Sequence, residues 1–101
     1  MIWYYLDDER DAPQGTVRVR DPRKMIDIID FECYTPQEEL LQEFGIDFDH
    51  DLGCEDFNGY TVARYIVRNK IPMAGFKVHS MNLVGAENIR QLLIHYGYKE
   101  Y

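Results

Sequence analysis

Apolar residues along the chain come in short bursts that end abruptly in acids or in helix-capping residues. Ile2 to Leu6 is bulky and aromatic and runs straight into Asp7, Asp8 and Glu9, the pattern of a buried strand whose tip reaches solvent. Asp11 to Gly15 reads as a loop, and Thr16 to Arg20, with Val17 and Val19 alternating with Arg18 and Arg20, reads as a half-exposed edge strand. Asp21 before Pro22 gives an N-cap and a first-turn proline, and Met25, Ile26, Ile28 and Ile29 supply the apolar face of a short helix. Thr35, Pro36 and Glu38 repeat the device as a capping box, which predicts a second helix with Leu40, Leu41 and Phe44 inward and Gly45 as its stop. Ile46 to Asp49 is a further short strand ending in acids. Asn58 and Gly59 lead into a helix with Val62, Ala63, Ile66 and Val67 on one face, and Phe76 to His79 forms the next strand. Ile89, Leu92, Leu93 and Tyr96 recur at helical spacing before Gly97.

Strands alternating with helices predict an α/β domain with three layers: a mostly parallel central sheet of about four strands, with helices on its faces. Residues 1–101 form one domain without repeats, linkers or low-complexity tracts. The loop between the first two strands is shorter than the dozen or so residues a parallel crossover usually takes, so the pattern leaves the second strand's direction open.

Charge narrows the partners. With 11 basic and 18 acidic residues the formal net charge is −7, a field that opposes broad binding to duplex nucleic acid. The basic stretches, Arg18, Arg20, Arg23 and Lys24 and then Arg64, Arg68, Lys70 and Lys77, read first as solvated faces. The apolar opening has no basic flank and meets acids at once, unlike a secretory signal, and no stretch is suited to span a membrane. Cys33 and Cys54 lie in no metal or redox spacing, so reduced thiols in a cytoplasmic protein are expected.

The chemistry gathers at the strand ends. In an open α/β sheet, ligands bind beyond the carboxyl ends of the strands. Here those ends carry Asp7, Asp8, Glu9 and Arg10, then Asp49, His50 and Asp51, then His79, Ser80 and Asn82. Placed side by side, Asp7, Asp8 and Asp49 offer hard oxygen donors suited to Mg²⁺ or Mn²⁺ shared with a phosphate. His50, with Asp51 next to it, and His79 are candidates for proton transfer near neutral pH. Arg10, Ser80 and Asn82 supply donors for phosphate oxygens, although Ser80 and Asn82 equally cap helices and the acids equally form solvated turns. No Gly-x-Ser-x-Gly elbow makes Ser80 a nucleophile, and the neighbouring acids keep Cys54 a protonated thiol. Asp47, Asp49, Asp51 and Gly53 imitate a calcium loop, but the glycine falls one position late and Asn58 stands where the twelfth-position Glu belongs.

Together, Leu6-Asp7-Asp8-Glu9-Arg10 with Pro13, Phe48-Asp49-His50-Asp51-Leu52-Gly53, Asn58-Gly59-Tyr60, Val78-His79-Ser80-Met81-Asn82 and Val84-Gly85 resemble the cyclic-phosphate-processing receiver-like domains. The resemblance spans nearly the whole chain. It implies a truncated, flavodoxin-like receiver fold, with Asp7 and Asp8 as the acidic pair, Asp49 at the phospho-acceptor position and Ser80 at the hydroxyl position of the fourth strand. Residues 31–45 carry no family motif and read as an insertion. The lysine that ends a receiver's fifth strand has no counterpart, Lys99 lying in the tail. The implied activity is a metal-dependent phosphoesterase acting on, or binding, cyclic-phosphate ends of RNA or nucleotides. The alternatives are a non-catalytic receiver-like signalling or binding module, and a viral or accessory protein-interaction module.

Overall fold

The structure is a computed structural model that describes all 101 residues. Strands β1 (Ile2–Leu6), β2 (Val17–Val19), β3 (Phe44–Phe48) and β4 (Gly75–Val78) form one sheet in the order β2-β1-β3-β4, and every pair is parallel. Helices α1 (Pro22–Ile28), α2 (Gly59–Arg68) and α3 (Leu83–His95) join them, and α1 runs on into a π-helical turn over Ile29–Cys33. No helix is long and apolar enough to cross a membrane.

The predicted caps start the helices. Asp21 Oδ1 accepts the Arg23 amide at 2.7 Å ahead of Pro22. Asn58 and Thr61 form a reciprocal capping box at the start of α2, and Asn82 accepts the Gly85 amide at the start of α3. Gly97, at φ 89°, follows the end of α3.

β2 runs parallel to β1 even though its connection is short. Val17 aligns with Tyr4 in mid-strand, so the chain between Leu6 and Val17 has only a few residues of height to recover. It needs no helix to do so. That short connection also removes a layer. Both β2 to β3 and β3 to β4 advance the same way across the sheet, and right-handed crossovers then put their helices on one face. A helix on the opposite face would have to come from the β1 to β2 connection, which is a loop. Met25 and Ile29, then Val62, Ala63 and Ile66, then Ile89 and Leu93 accordingly join a single core with Tyr4, Leu6, Val19, Phe44, Ile46, Phe48 and Phe76. The receiver-like α/β class and the four-stranded parallel sheet are as expected, but the helices form one layer where two were expected. The other sheet face carries Trp3, Tyr5, Arg18, Asp47 and Lys77, and the β1–β2 loop reaches it through an Asp11–Arg18 ion pair at 3.1 Å.

The helix expected after Thr35 is absent. Thr35 does receive the Glu39 amide on its hydroxyl at 3.1 Å, but the chain then folds back through Glu38, at φ 62°, into a bridge between Tyr34 and Leu40. Phe44 and Gly45 belong to β3, paired with Ile2 and Trp3, and Leu40 and Leu41 are about half exposed. Strand pairing claims those residues and leaves a segment too short for a stable helix. Past α3 the chain returns to the sheet edge, where the Phe76 amide donates to Lys99 O and the Tyr101 amide donates to Phe76 O, each at 2.9 Å.

Candidate active site at the strand tips

Asp7, Asp49 and His79 each follow the last residue of a strand and align across the sheet. The Asp7 amide donates to Val19 O, the Asp49 amide to Leu6 O and the His79 amide to Phe48 O, at 3.0, 3.0 and 2.9 Å, so the ladder itself fixes their height. One donor atom from each of the three side chains lies within 4.8 Å of the others.

Asp7 is almost wholly buried at 1% exposure, which requires that its charge be compensated. Its Oδ1 accepts the Glu9 and Arg10 amides, both at 2.8 Å, and its Oδ2 faces His79 Nε2 at 2.9 Å. Burial alone would raise its pKa, but these hydrogen bonds prevail and hold it below the ordinary carboxylate value. The His79 ring is locked from three sides. Asp47 Oδ1 meets Nδ1 at 2.7 Å, Asp7 meets Nε2, and Tyr5 stacks on the ring at 4.2 Å and 7°. Burial pulls its pKa down, and the bonds to Asp47 and Asp7 more than restore it, so the net shift is upward.

Around this centre an open cleft of about 370 Å³ is lined by Asp7, Asp8, Glu9, Arg10, Asp49, Asp51, Gly53 and Met81. Asp8 therefore shares the cleft without joining the tight group of three. Arg10 reaches across to His79 O at 3.4 Å.

A second lobe of about 470 Å³ shares Asp51 and Gly53 with the first and is bounded by His50, Asn58 and Asn82. His50 Nδ1 lies 2.8 Å from Asp51 Oδ1, an oxygen that also accepts from Asn82 Nδ2 at 3.2 Å. The contact with His50, then that with Asn82, lowers the Asp51 pKa. Asn82 thus serves twice, capping α3 and holding the His50–Asp51 pair. Ser80 Oγ accepts the Asn82 amide at 3.1 Å and so shapes the turn into α3.

Two glycines allow the helices to come this close. A Cβ on Gly59 would sit 2.0 Å from Asp49 O, and one on Gly85 would sit 2.3 Å from the His50 ring. These contacts give the Asn58-Gly59 and Val84-Gly85 pairs a physical role.

Sequence reasoning missed Asp47. Its signal was present: an acid between Ile46 and Phe48 in a central strand, two residues from Asp49 and therefore on the same face. Lys99 lies level with the base of β4, roughly four strand residues or about 13 Å below the tips, so it does not reach the cleft. Cys33 is buried against Tyr4, and Cys54 is exposed; both are free thiols.

The profile of the cyclic-phosphate processing receiver domain matches residues 2–95. The chain belongs to that family. No curated protein and no solved structure matches it. This cyclic-phosphate processing receiver domain carries acids and histidines together at the tips of a parallel sheet.

Proposed function

We propose that this domain is a metal-dependent phosphoesterase that processes cyclic-phosphate ends of nucleotides or RNA at its strand tips. The observation that carries the reading is the convergence of Asp7, Asp49 and His79 from three strands, with donor atoms within 4.8 Å.

The donor set fits a divalent cation. Asp7 keeps Oδ1 engaged by two amides and turns Oδ2 toward His79 Nε2, so the carboxylate is oriented before any ion arrives. His79 Nε2, 2.9 Å from Asp7 Oδ2, shares a proton with it that an entering cation would displace. Asp7 and Asp49 would hold the metal, with Asp8 on the cleft wall available for its waters. When bound, the ion supplies neutralisation of phosphoryl charge and a more acidic water.

The chain's own residues do the rest. Arg10 lines the cleft and offers the guanidinium that orients phosphate oxygens. With Asp51 fixing Nδ1, the outer nitrogen of His50 is free to take or give a proton, the arrangement of an oriented general base. Asn82 holds that pair in place, and Ser80 holds the turn that presents Asn82.

Turnover of nucleoside 2′,3′-cyclic phosphates and RNA cyclic ends with Mg²⁺ or Mn²⁺, followed by phosphorus NMR, tests the reading. Ring opening that His50→Ala abolishes supports it; no turnover of any cyclic ester with either metal counts against it. A second reading, a non-catalytic receiver-like module, is favoured by the half-buried tip position of Asp49 directly after β3. It predicts a phosphoryl adduct at Asp49 after incubation with acetyl phosphate and Mg²⁺, detected by mass.

A further inference from the structure

We propose that His79 is itself a metal ligand through Nε2, and that Asp47 is the positioning residue that makes it one; this rests on the metal-dependent reading above. A receiver-like acidic pair offers oxygen alone, whereas here a ring nitrogen lies within 4.8 Å of donor atoms of Asp7 and Asp49. Three observations point to that nitrogen rather than to a packing histidine. First, Asp47 engages Nδ1 at 2.7 Å, which leaves Nε2, 2.9 Å from Asp7 Oδ2 and within 4.8 Å of an Asp49 oxygen, as the ring atom a cation would take on displacing the proton shared with Asp7. Carboxylate–histidine–metal triads use the same division of labour, the carboxylate fixing the tautomer and ring orientation. Second, the ring lies flat on Tyr5, 4.2 Å away and 7° from parallel, so it cannot swing out of line. Third, Asp47 is an acid inside an otherwise apolar central strand, on the face where no helix packs, and its only side-chain partner is His79.

A mixed nitrogen and oxygen set changes which ion the site takes. Imidazole favours Mn²⁺ and later transition metals over Mg²⁺, whose preference is for oxygen and water. The cation would therefore be selected by His79, and Asp47 would act on it without touching it.

The probe is Mn²⁺ added to the purified full chain. Pulsed electron paramagnetic resonance should show coupling of bound Mn²⁺ to an imidazole nitrogen, lost in His79→Gln. Asp47→Asn should weaken Mn²⁺ binding by about 10- to 100-fold, with thermal unfolding of the metal-free protein reporting whether the fold persists, and Asp47→Glu should recover part of the loss. The Mn²⁺ to Mg²⁺ affinity ratio should narrow in His79→Gln. Bound Mn²⁺ without nitrogen coupling in the wild-type protein, or coupling that survives in His79→Gln, overturns this inference and leaves the metal-dependent reading intact. Failure of the wild-type protein to bind Mn²⁺ overturns both.

Discussion

Replacing Gly59 with Ala should damage the site from a position that carries no functional group. The added Cβ would lie 2.0 Å from Asp49 O and 3.1 Å from His50 Cα. Carbon–oxygen contacts ordinarily begin at about 3.3 Å, so the start of α2 must retreat by roughly an ångström. That retreat breaks the 2.9 Å bond from the Gly59 amide to His50 O and loosens the Asn58–Thr61 capping box. The bond is worth about 1 kcal/mol and the cap about another 1; the helix preference for Ala returns some of this, at most about 1 kcal/mol. A net loss of about 1–2 kcal/mol corresponds to a fall in Tm of roughly 4–16 °C for a domain this size. Gly15→Ala is the control. At φ 86° with nothing within 4 Å, it adds about 1 kcal/mol of backbone strain and no collision. Thermal unfolding and Mn²⁺ calorimetry on both variants separate the effects. Both should melt lower, but only Gly59→Ala should lose metal affinity, because only it moves Asp49. A Gly59→Ala protein with wild-type Tm and wild-type affinity would refute the reasoning.

Asn82→Ala removes the α3 cap and the partner of Asp51, so urea denaturation should show a loss of about 1 kcal/mol, and turnover should fall further than stability alone explains. In metal-free protein the raised pKa of His79 contributes stability that is complete below its unfolded value of about 6.5 and is lost as pH rises through the folded value. The lowered pKa of Asp7 contributes stability present above about 4 and lost as pH falls. Denaturation at graded pH with chelator should therefore find a maximum between those limits, and His79→Gln should flatten its alkaline side. Iodoacetamide should modify exposed Cys54 in the native state and reach Cys33 only on unfolding, because burial both hides that thiol and raises its pKa.

The sequence was most legible where local chemistry and tertiary packing agree. Ile2 to Leu6 is a strand both by composition and by its place at the sheet centre, and Asp21, Asn58 and Asn82 cap the helices that follow them. Legibility failed at Thr35, where capping signals are real but local. Pairing of Phe44 and Gly45 with β1 overrides them, and no local pattern encodes a partner forty residues away. The missing helical layer is of the same kind, since it follows from strand order and crossover hand rather than from any one segment. At the site, Asp7, Asp8 and Asp49 were visible as acids ending apolar bursts, and the structure brings Asp7 and Asp49 together. The partnership of His79 with Asp47 was not visible, because it depends on which face of β3 looks away from the helices.

Calorimetric titration of the wild-type protein and of Asp49→Ala with Mg²⁺ and with Mn²⁺ tests the central claim most directly. One cation per chain should bind the wild-type protein, and removing Asp49 should weaken it at least tenfold without unfolding the domain. Equal, weak binding by the two proteins would contradict the claim that the strand tips form a metal site.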